Sequence, residues 1–219
     1  MSKMFSDFDP IIALASIAAL LIAVIGHEIM HGAAAYMYGD TTAKNMGRFS
    51  VNPIKHIDPI GTIVLPLLLT ISGAKFLFGW AKPVPINVNR VLGRGGHKAM
   101  IVVSLAGVAY NFLAAGLAAG LLHLLSAFGV EQYFLTSLLI YLIRWNVVLA
   151  VFNLLPIPPL DGANAIAHSA AAFGFYGVGR ALDRLGAWGF IILIVIMATG
   201  AISPIFTAMQ AIVKAMIGI

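Results

Sequence analysis

The chain has 219 residues, 61% of them hydrophobic and only 10% charged, with a mean hydropathy of +0.98. Soluble domains carry about 25% charged residues, so this composition excludes an ordinary soluble fold and indicates an integral membrane protein. Cysteine is absent, which leaves His, Asp and Glu as metal ligands; the net charge of +5 comes largely from loops flanking apolar segments, as in cytoplasmic connections and unlike a nucleic-acid surface.

An apolar helix is expected from about Pro10 to Tyr38. The first ten residues hold Asp7 and Asp9 rather than a basic cluster, so no cleavable signal is expected. A polar stretch over 39–56 leads to a short apolar run, Ile60 to Ile71. That run is too short for a hydrocarbon core of roughly 30 Å and is expected to be re-entrant or interfacial. A basic loop follows, with Lys75, Lys82, Arg90, Arg94 and Lys98, two prolines at 83 and 85, and a turn region at Gly93 to Gly96. Two long apolar segments, about Ala99 to Leu125 and about Tyr133 to Leu155, are each long enough to cross a bilayer. A proline-rich break over 155–162 ends the second. Beyond it lie a modestly polar segment to Arg184, an apolar run from Leu185 to Ile202, and an apolar tail from Pro204 to Ile219. The expected fold is an all-α polytopic helix bundle with a re-entrant or interfacial segment and a short irregular or β-edge loop. It forms one membrane-embedded domain over 1–219, with a core over about 10–162 and C-terminal helices over about 163–219.

The first helix carries His27-Glu28-Ile29-Met30-His31 at the end of a run, Pro10 to Gly26, that holds no charged side chain. Four residues apart on a helix, the two imidazoles share one face and reach a single ion, while Glu28 lies beside them to hold a water. Three ionisable groups ending an apolar span are expensive to bury unless they are paired, wet or metal-bound. A catalytic zinc needs at least three protein ligands, and the histidines supply two. Asp161 is the best remaining candidate: it is the only acid between Glu131 and Asp183, and it sits where prolines interrupt the helix and free backbone groups to line a cavity. The alternative for Asp161 is a capping or turn residue in an Asp-Gly pair.

Together these residues resemble the site-2 proteases, intramembrane zinc metalloproteases that cut transmembrane helices. The family pattern pairs H-E-x-x-H with N-x-x-P-x-P-x-x-D-G, standing here as His27 to His31 and Asn153-Leu154-Leu155-Pro156-Ile157-Pro158-Pro159-Leu160-Asp161-Gly162. The segments over 52–62 and 79–85 read like loop signatures of the compact branch without a PDZ or nucleotide-sensing domain, and the resemblance runs from about Gly26 to Gly162. It implies one zinc ion per chain held by His27, His31 and Asp161, Glu28 as general base, and Asn153 positioning substrate or stabilising the oxyanion. One departure is visible: the family often has A-G-P before an asparagine of the middle helix, whereas Ala106-Gly107-Val108 precedes Asn111 here.

If His27 and Asp161 share an ion, the helices leading to them run in the same direction, which requires an odd number of crossings between them; Ala99 to Leu125 is one, so the 60–71 run must not cross. The basic residues then collect on one face, cytoplasmic by the positive-inside rule, with the N-terminus outside and the site in the cytoplasmic half. The partners implied are the lipid bilayer and a transmembrane-helix protein substrate, and no nucleic acid. Such a substrate must be locally unwound, and the irregular chain from Phe78 to Val88 is a candidate edge for pairing with it.

His56 is read either as a contact to substrate or ligands or as a solvated loop residue. Asn111 and Asn146 are read either as site residues or as interhelical hydrogen-bonding groups. Arg144, mid-helix with no local acid, faces water or marks a shifted helix. His97, His123 and His168 are expected at the interface. A membrane metal-ion transporter using His27, His31 and Asp161 is the competing function; it leaves Glu28 unexplained and predicts repeated halves, which the sequence lacks. A protease with a glutamate as third ligand is the other rival, but Glu131 is expected on the opposite face.

Overall fold

The computed structural model describes residues 9–73, 79–186 and 188–218, so Asp7, Lys75 and Phe78 lie outside the described residues. Among the described residues every regular element is helical and none is a strand.

Helix α1 spans Pro10–Met37. Asp9 starts it by accepting the N–H groups of Ile11 and Ile12 at 2.8 and 3.2 Å, and Pro10 fills a first-turn position that needs no donor. Its buried residues Ala15, Ala19, Ala23, His27, His31 and Ala35 recur at every fourth position. That spacing makes one stripe along the helix, and the small residues on it allow a neighbour to approach closely.

A short α2 (Thr42–Asn45), a 3-10 turn (Pro53–His56) and a π-helical turn (Pro59–Val64) lead into α3 (Leu65–Ile71). The apolar helical piece Pro59–Ile71 is too short to cross a bilayer, as its length in the sequence requires. Residues 79–87 form no regular structure.

Helix α4 spans Val88–Ala127. It begins at Val88, well before the expected Ala99, because Asn87 caps it by accepting the Arg90 N–H at 3.1 Å. The glycine-rich turn expected here reduces to a single break at Gly96, with φ 60° and ψ −160°. Past it the helix is unbroken through Ala106-Gly107-Val108, so the missing proline leaves no distortion.

Helix α5 is Tyr133–Asn153, capped by Gln132. After the proline-rich connection come α6 (Asp161–Ala172), α7 (Tyr176–Gly186), α8 (Gly189–Thr199) and α9 (Ser203–Ile217). Among the described residues α1, α4 and α5 are each long and apolar enough to span, and α7 with α8, bent by 71°, makes a fourth span if the pair counts as one.

Contacts fix the directions. The Tyr110 hydroxyl donates to the Ile22 carbonyl at 3.2 Å while His31 meets the Val103 carbonyl, so α1 and α4 are antiparallel. The Tyr133 hydroxyl donates to Asp9 at 2.6 Å and the Trp145 indole to Ser16 at 3.1 Å, so α1 and α5 are parallel. One core joins Ala115, Ala118 and Ala119 of α4 to Leu139, Ile143 and Val147 of α5 and to Met209 and Val213 of α9. A second packs Ala34 and Ala35 of α1 against Val91, Ala99, Met100, Val103 and Ala106 of α4. The chain is thus an all-α, multi-pass membrane protein.

Candidate metal centre

Both histidines of α1 are buried, 7% exposed each, and their Nε2 atoms stand 3.0 Å apart. Oδ2 of Asp161 lies 3.2 Å from each of them. The proton positions follow from the far side of each ring. His31 Nδ1 is 2.7 Å from the Val103 carbonyl, which only accepts, so this nitrogen carries the proton. Asn111 directs its NH2 at the Ala23 carbonyl (3.2 Å) and at Oδ1 of Asn146 (2.8 Å), which turns its own oxygen to Nδ1 of His27 at 2.6 Å. His27 therefore donates from Nδ1 as well.

In the neutral rings both Nε2 atoms are then left with lone pairs, facing each other and a carboxylate oxygen. In that state the short contacts to Asp161 are not hydrogen bonds, and the buried Oδ2 has no other donor to satisfy it. Three electron-rich atoms this close repel one another unless a cation lies among them. A zinc ion ligated tetrahedrally at about 2.0–2.1 Å separates its ligand atoms by about 3.3 Å, close to the spacings here. The donor set and its outer hydrogen bonds fit such an ion, with two imidazoles held in one tautomer and one carboxylate. His27, His31 and Asp161 are the one group of three candidate ligands among the described residues.

The local sequence shows how Asp161 comes to point here. It is the first residue of α6, and the N-cap position belongs to Leu160, so Asp161 does not cap the helix. A Cβ at Gly162 would stand 2.2 Å from the Leu154 carbonyl oxygen, so the glycine lets the proline-rich connection close against the helix start. The structure therefore departs from the capping reading of the Asp-Gly pair. Gly107 has a similar role on α4: a Cβ there would come within 2.5 Å of His31 Nε2 and 2.6 Å of His27 Cε1. Bare backbone at 107 leaves the space in which the two rings meet.

Glu28 lies beside the ligand set and outside it. Its Oε2 accepts the backbone N–H of Val84 at 2.7 Å. Residues 82–87 are laid across the site by a run of such contacts. The Lys82 N–H donates to the His56 carbonyl (2.9 Å), Arg48 donates to the Lys82 carbonyl (2.6 Å), and the Asn87 N–H donates to Asp40 Oδ2 (2.6 Å). Because Pro83 and Pro85 lack an N–H, Val84 supplies the one donor between them.

The other residues singled out in the sequence fall in different places. Asn111 and Asn146, both fully buried, form a chain from His27 to the Leu142 carbonyl. His56 is buried, 4% exposed, and donates from Nε2 to the Ser50 carbonyl at 2.8 Å, so the solvated reading of this histidine is corrected. Its contacts tie loop to loop and do not reach the three ligands. The Asn153 amide donates back to Leu149 of its own helix at 3.0 Å and is not turned onto the ligand set. His97 and His168 meet through their Nδ1 atoms at 3.1 Å between α4 and α6, and His123 meets the Met216 carbonyl at 3.0 Å. Glu131 is exposed in the α4–α5 turn. The Val103 carbonyl was not singled out in the sequence; Gly107 stood there only within the Ala106-Gly107-Val108 departure and Val84 only within the 79–85 loop signature, neither with a role of its own.

No protein-family model and no solved structure matches the chain. Two curated proteins do. The chain is 38% identical over 188 residues to "Putative zinc metalloprotease YwhC" of Bacillus subtilis (strain 168), covering 84% of this chain and 80% of that protein. It is 30% identical over 190 residues to "Putative zinc metalloprotease Rip2" of Mycolicibacterium smegmatis (strain ATCC 700084 / mc(2)155), covering 87% and 69%. With its paired buried histidines and part-buried aspartate, the chain belongs to the zinc metalloprotease family to which these two relatives are assigned.

Proposed function

We propose that this protein is an intramembrane zinc endopeptidase of the site-2 protease type, hydrolysing peptide bonds in or near transmembrane helices of membrane-protein substrates. The observation that carries the reading is the convergence of His27 Nε2, His31 Nε2 and Asp161 Oδ2 within 3.2 Å inside a bundle of bilayer-length helices. His27, His31 and Asp161 hold one zinc ion. When bound, it supplies Lewis acidity that makes a water acidic near neutral pH and polarises the scissile carbonyl.

The chain's own groups do the rest. Glu28, one residue from His27 and oriented by the Val84 N–H, takes the proton from the attacking water and returns it to the leaving amine. Asn153, at the C-terminal end of α5 where the connection to Asp161 begins, is the donor we propose for the substrate carbonyl, once its amide turns away from the Leu149 carbonyl that it meets in its own helix. Apolar helices around the site exclude bulk water, and the substrate helix must unwind before its backbone presents a bond to attack.

Lys44, Arg48, Lys55, Lys82, Arg90 and Arg94 all lie between the end of α1 and the break in α4. The positive-inside rule makes that end cytoplasmic, which puts the site in the cytoplasmic half and the N-terminus outside. Cysteines placed singly at Lys55 and Val130 should label from opposite faces of sealed vesicles, and labelling from one face would overturn this orientation.

The decisive experiment compares wild type, Glu28→Gln and Asp161→Ala on a synthetic transmembrane peptide with a helix-destabilising centre. Glu28→Gln should keep one zinc per chain and lose about a hundred- to ten-thousandfold in rate, the usual range for a general acid–base group. Asp161→Ala should lose zinc and activity together. Cleavage by Glu28→Gln at near the wild-type rate, or full zinc occupancy in Asp161→Ala, would refute the assignment of that residue. A wild type that cuts none of a broad panel of such peptides would refute the protease reading.

A further inference from the structure

Arg144 takes no part in the site just described, and its position calls for a partner. It is the only Lys or Arg between Lys98 and Arg180. It lies in α5, with eleven residues back to Tyr133 and nine on to Asn153. At 1.5 Å per residue that is roughly 16 Å and roughly 14 Å from the helix ends, beyond the reach of a side chain extending to either interface. Of residues 134–153 it alone is exposed. At about 100° per residue it points some 160° away from Asn146, whose side chain faces the metal centre through Asn111. Arg144 is therefore turned out of the bundle at mid-membrane depth.

A guanidinium does not shed its charge by deprotonation, and a charge facing hydrocarbon is costly. The Tyr141 ring, one turn back on the same helix, lies 5.3 Å from the Arg144 Cζ. That cation–π contact orients the group without neutralising it. We propose that the outward face of α5 docks a transmembrane helix of another protein that carries one intramembrane Asp or Glu, with Arg144 as its charge partner. The inference stands independently of the proteolytic reading.

Other occupants fit less well. A lipid phosphate lies at the interface, too far along α5 from Arg144. A second copy of this chain fits less well: Glu28 is the only acid within α1, α4 and α5 and its Oε2 is committed to Val84, Asp161 is committed to the two histidines, and Asp183 lies on α7 beside the positive charges of Arg180 and Arg184. An aspartate or glutamate on a partner helix meets the guanidinium at the same depth and forms a charge-assisted, bidentate pair in a medium where neither group has water.

The test uses the full chain in phosphatidylcholine vesicles with a labelled poly-leucine transmembrane peptide bearing one central Asp, and its all-leucine counterpart. Association is read by energy transfer, and mass spectrometry verifies that the probe is uncut. The Asp peptide should associate about tenfold more tightly than the leucine peptide, the scale of one interhelical polar contact. Arg144→Leu should abolish that preference and Arg144→Lys should retain most of it. Equal association of the two peptides with wild type overturns the proposal, as does a preference that persists in Arg144→Leu. Arg144-dependent binding of spin-labelled phosphatidylglycerol with no preference for the Asp peptide assigns the face to lipid and likewise overturns it.

Discussion

The backbone N–H of Val84 lies 2.7 Å from Oε2 of Glu28, joining an extended segment to the helix that carries both histidines across 56 positions of sequence. It fixes one carboxylate oxygen and leaves the other for a water. Glu28 is thereby held in place by a donor that the side chain of residue 84 does not provide.

Val84→Pro removes this donor in a segment whose neighbours, Pro83 and Pro85, already accept extended backbone. A hydrogen bond to a charged group contributes about 1.5–3 kcal/mol, so the turnover number should fall about ten- to a hundredfold with zinc content unchanged. Val84→Ala keeps the N–H and should stay close to wild type. Steady-state kinetics on a transmembrane peptide, with metal analysis of each variant, checks this; an unimpaired Val84→Pro enzyme removes the contact from the mechanism.

Asn111 fixes the tautomer of His27 from the far side of the ring. Asn111→Leu should weaken zinc binding by about ten- to a hundredfold, the usual scale for such outer hydrogen bonds, as measured by chelator competition. The single variant also strands the buried Asn146 amide. Asn111→Leu with Asn146→Leu relieves that stranding, so recovery of fold stability without recovery of zinc affinity is the expected result. Full recovery of affinity in the double variant would show that Asn111 acts only through packing.

Gly107→Ala adds a Cβ where the two imidazoles meet, 2.5 Å from His31 Nε2. Overpacking of this kind costs about 1–3 kcal/mol, and here it falls on the metal ligands themselves. Zinc content should drop sharply while helix content by circular dichroism is retained. Normal zinc stoichiometry in this variant would contradict the close approach of α4 to the rings.

Asp40 anchors the far end of the 82–87 segment through the Asn87 N–H and is 1% exposed. Burial works to raise its pKa, but the Thr42 hydroxyl, the Asn87 and Thr42 N–H groups and the Arg90 charge together hold it below the ordinary carboxylate value. A lowered folded-state pKa means that this stabilisation is complete above the unfolded value of about 3.9 and is lost as pH falls through the folded one. Asp40→Asn should therefore lower the melting temperature in detergent at pH 6–7, and the gap to wild type should narrow progressively below about pH 4. A gap that stays constant down to pH 3 would show that the charge contributes nothing.

The sequence by itself determined the class, most of the helices and the candidate ligands. Length and hydropathy are local properties, so α1, α5 and the non-crossing 60–71 run could be read directly from them. The i, i+4 spacing of His27 and His31 is likewise set by helix geometry before any packing occurs. Asp161 was legible because the prolines before it interrupt a span, where an acid needs a reason to be present. What holds these ligands could be decided only by tertiary structure. Val103, Gly107 and Asn111 sit on α4, 72 to 84 positions away from the rings that they orient or accommodate; Asn111 stood out as a polar residue within a span, but nothing local says that its oxygen meets His27, that the Val103 carbonyl meets His31 or that both rings need the bare Cα of Gly107. The same holds for His56, buried by contacts with residues 50 and 82 in spite of its loop position, and for Val84, whose N–H had many possible acceptors until α1 and the extended segment were brought together. A hydrogen-bond partner is chosen by where two helices and a loop come to rest. That is a property of the packed bundle, because every backbone can make such bonds and only the fold decides which are made.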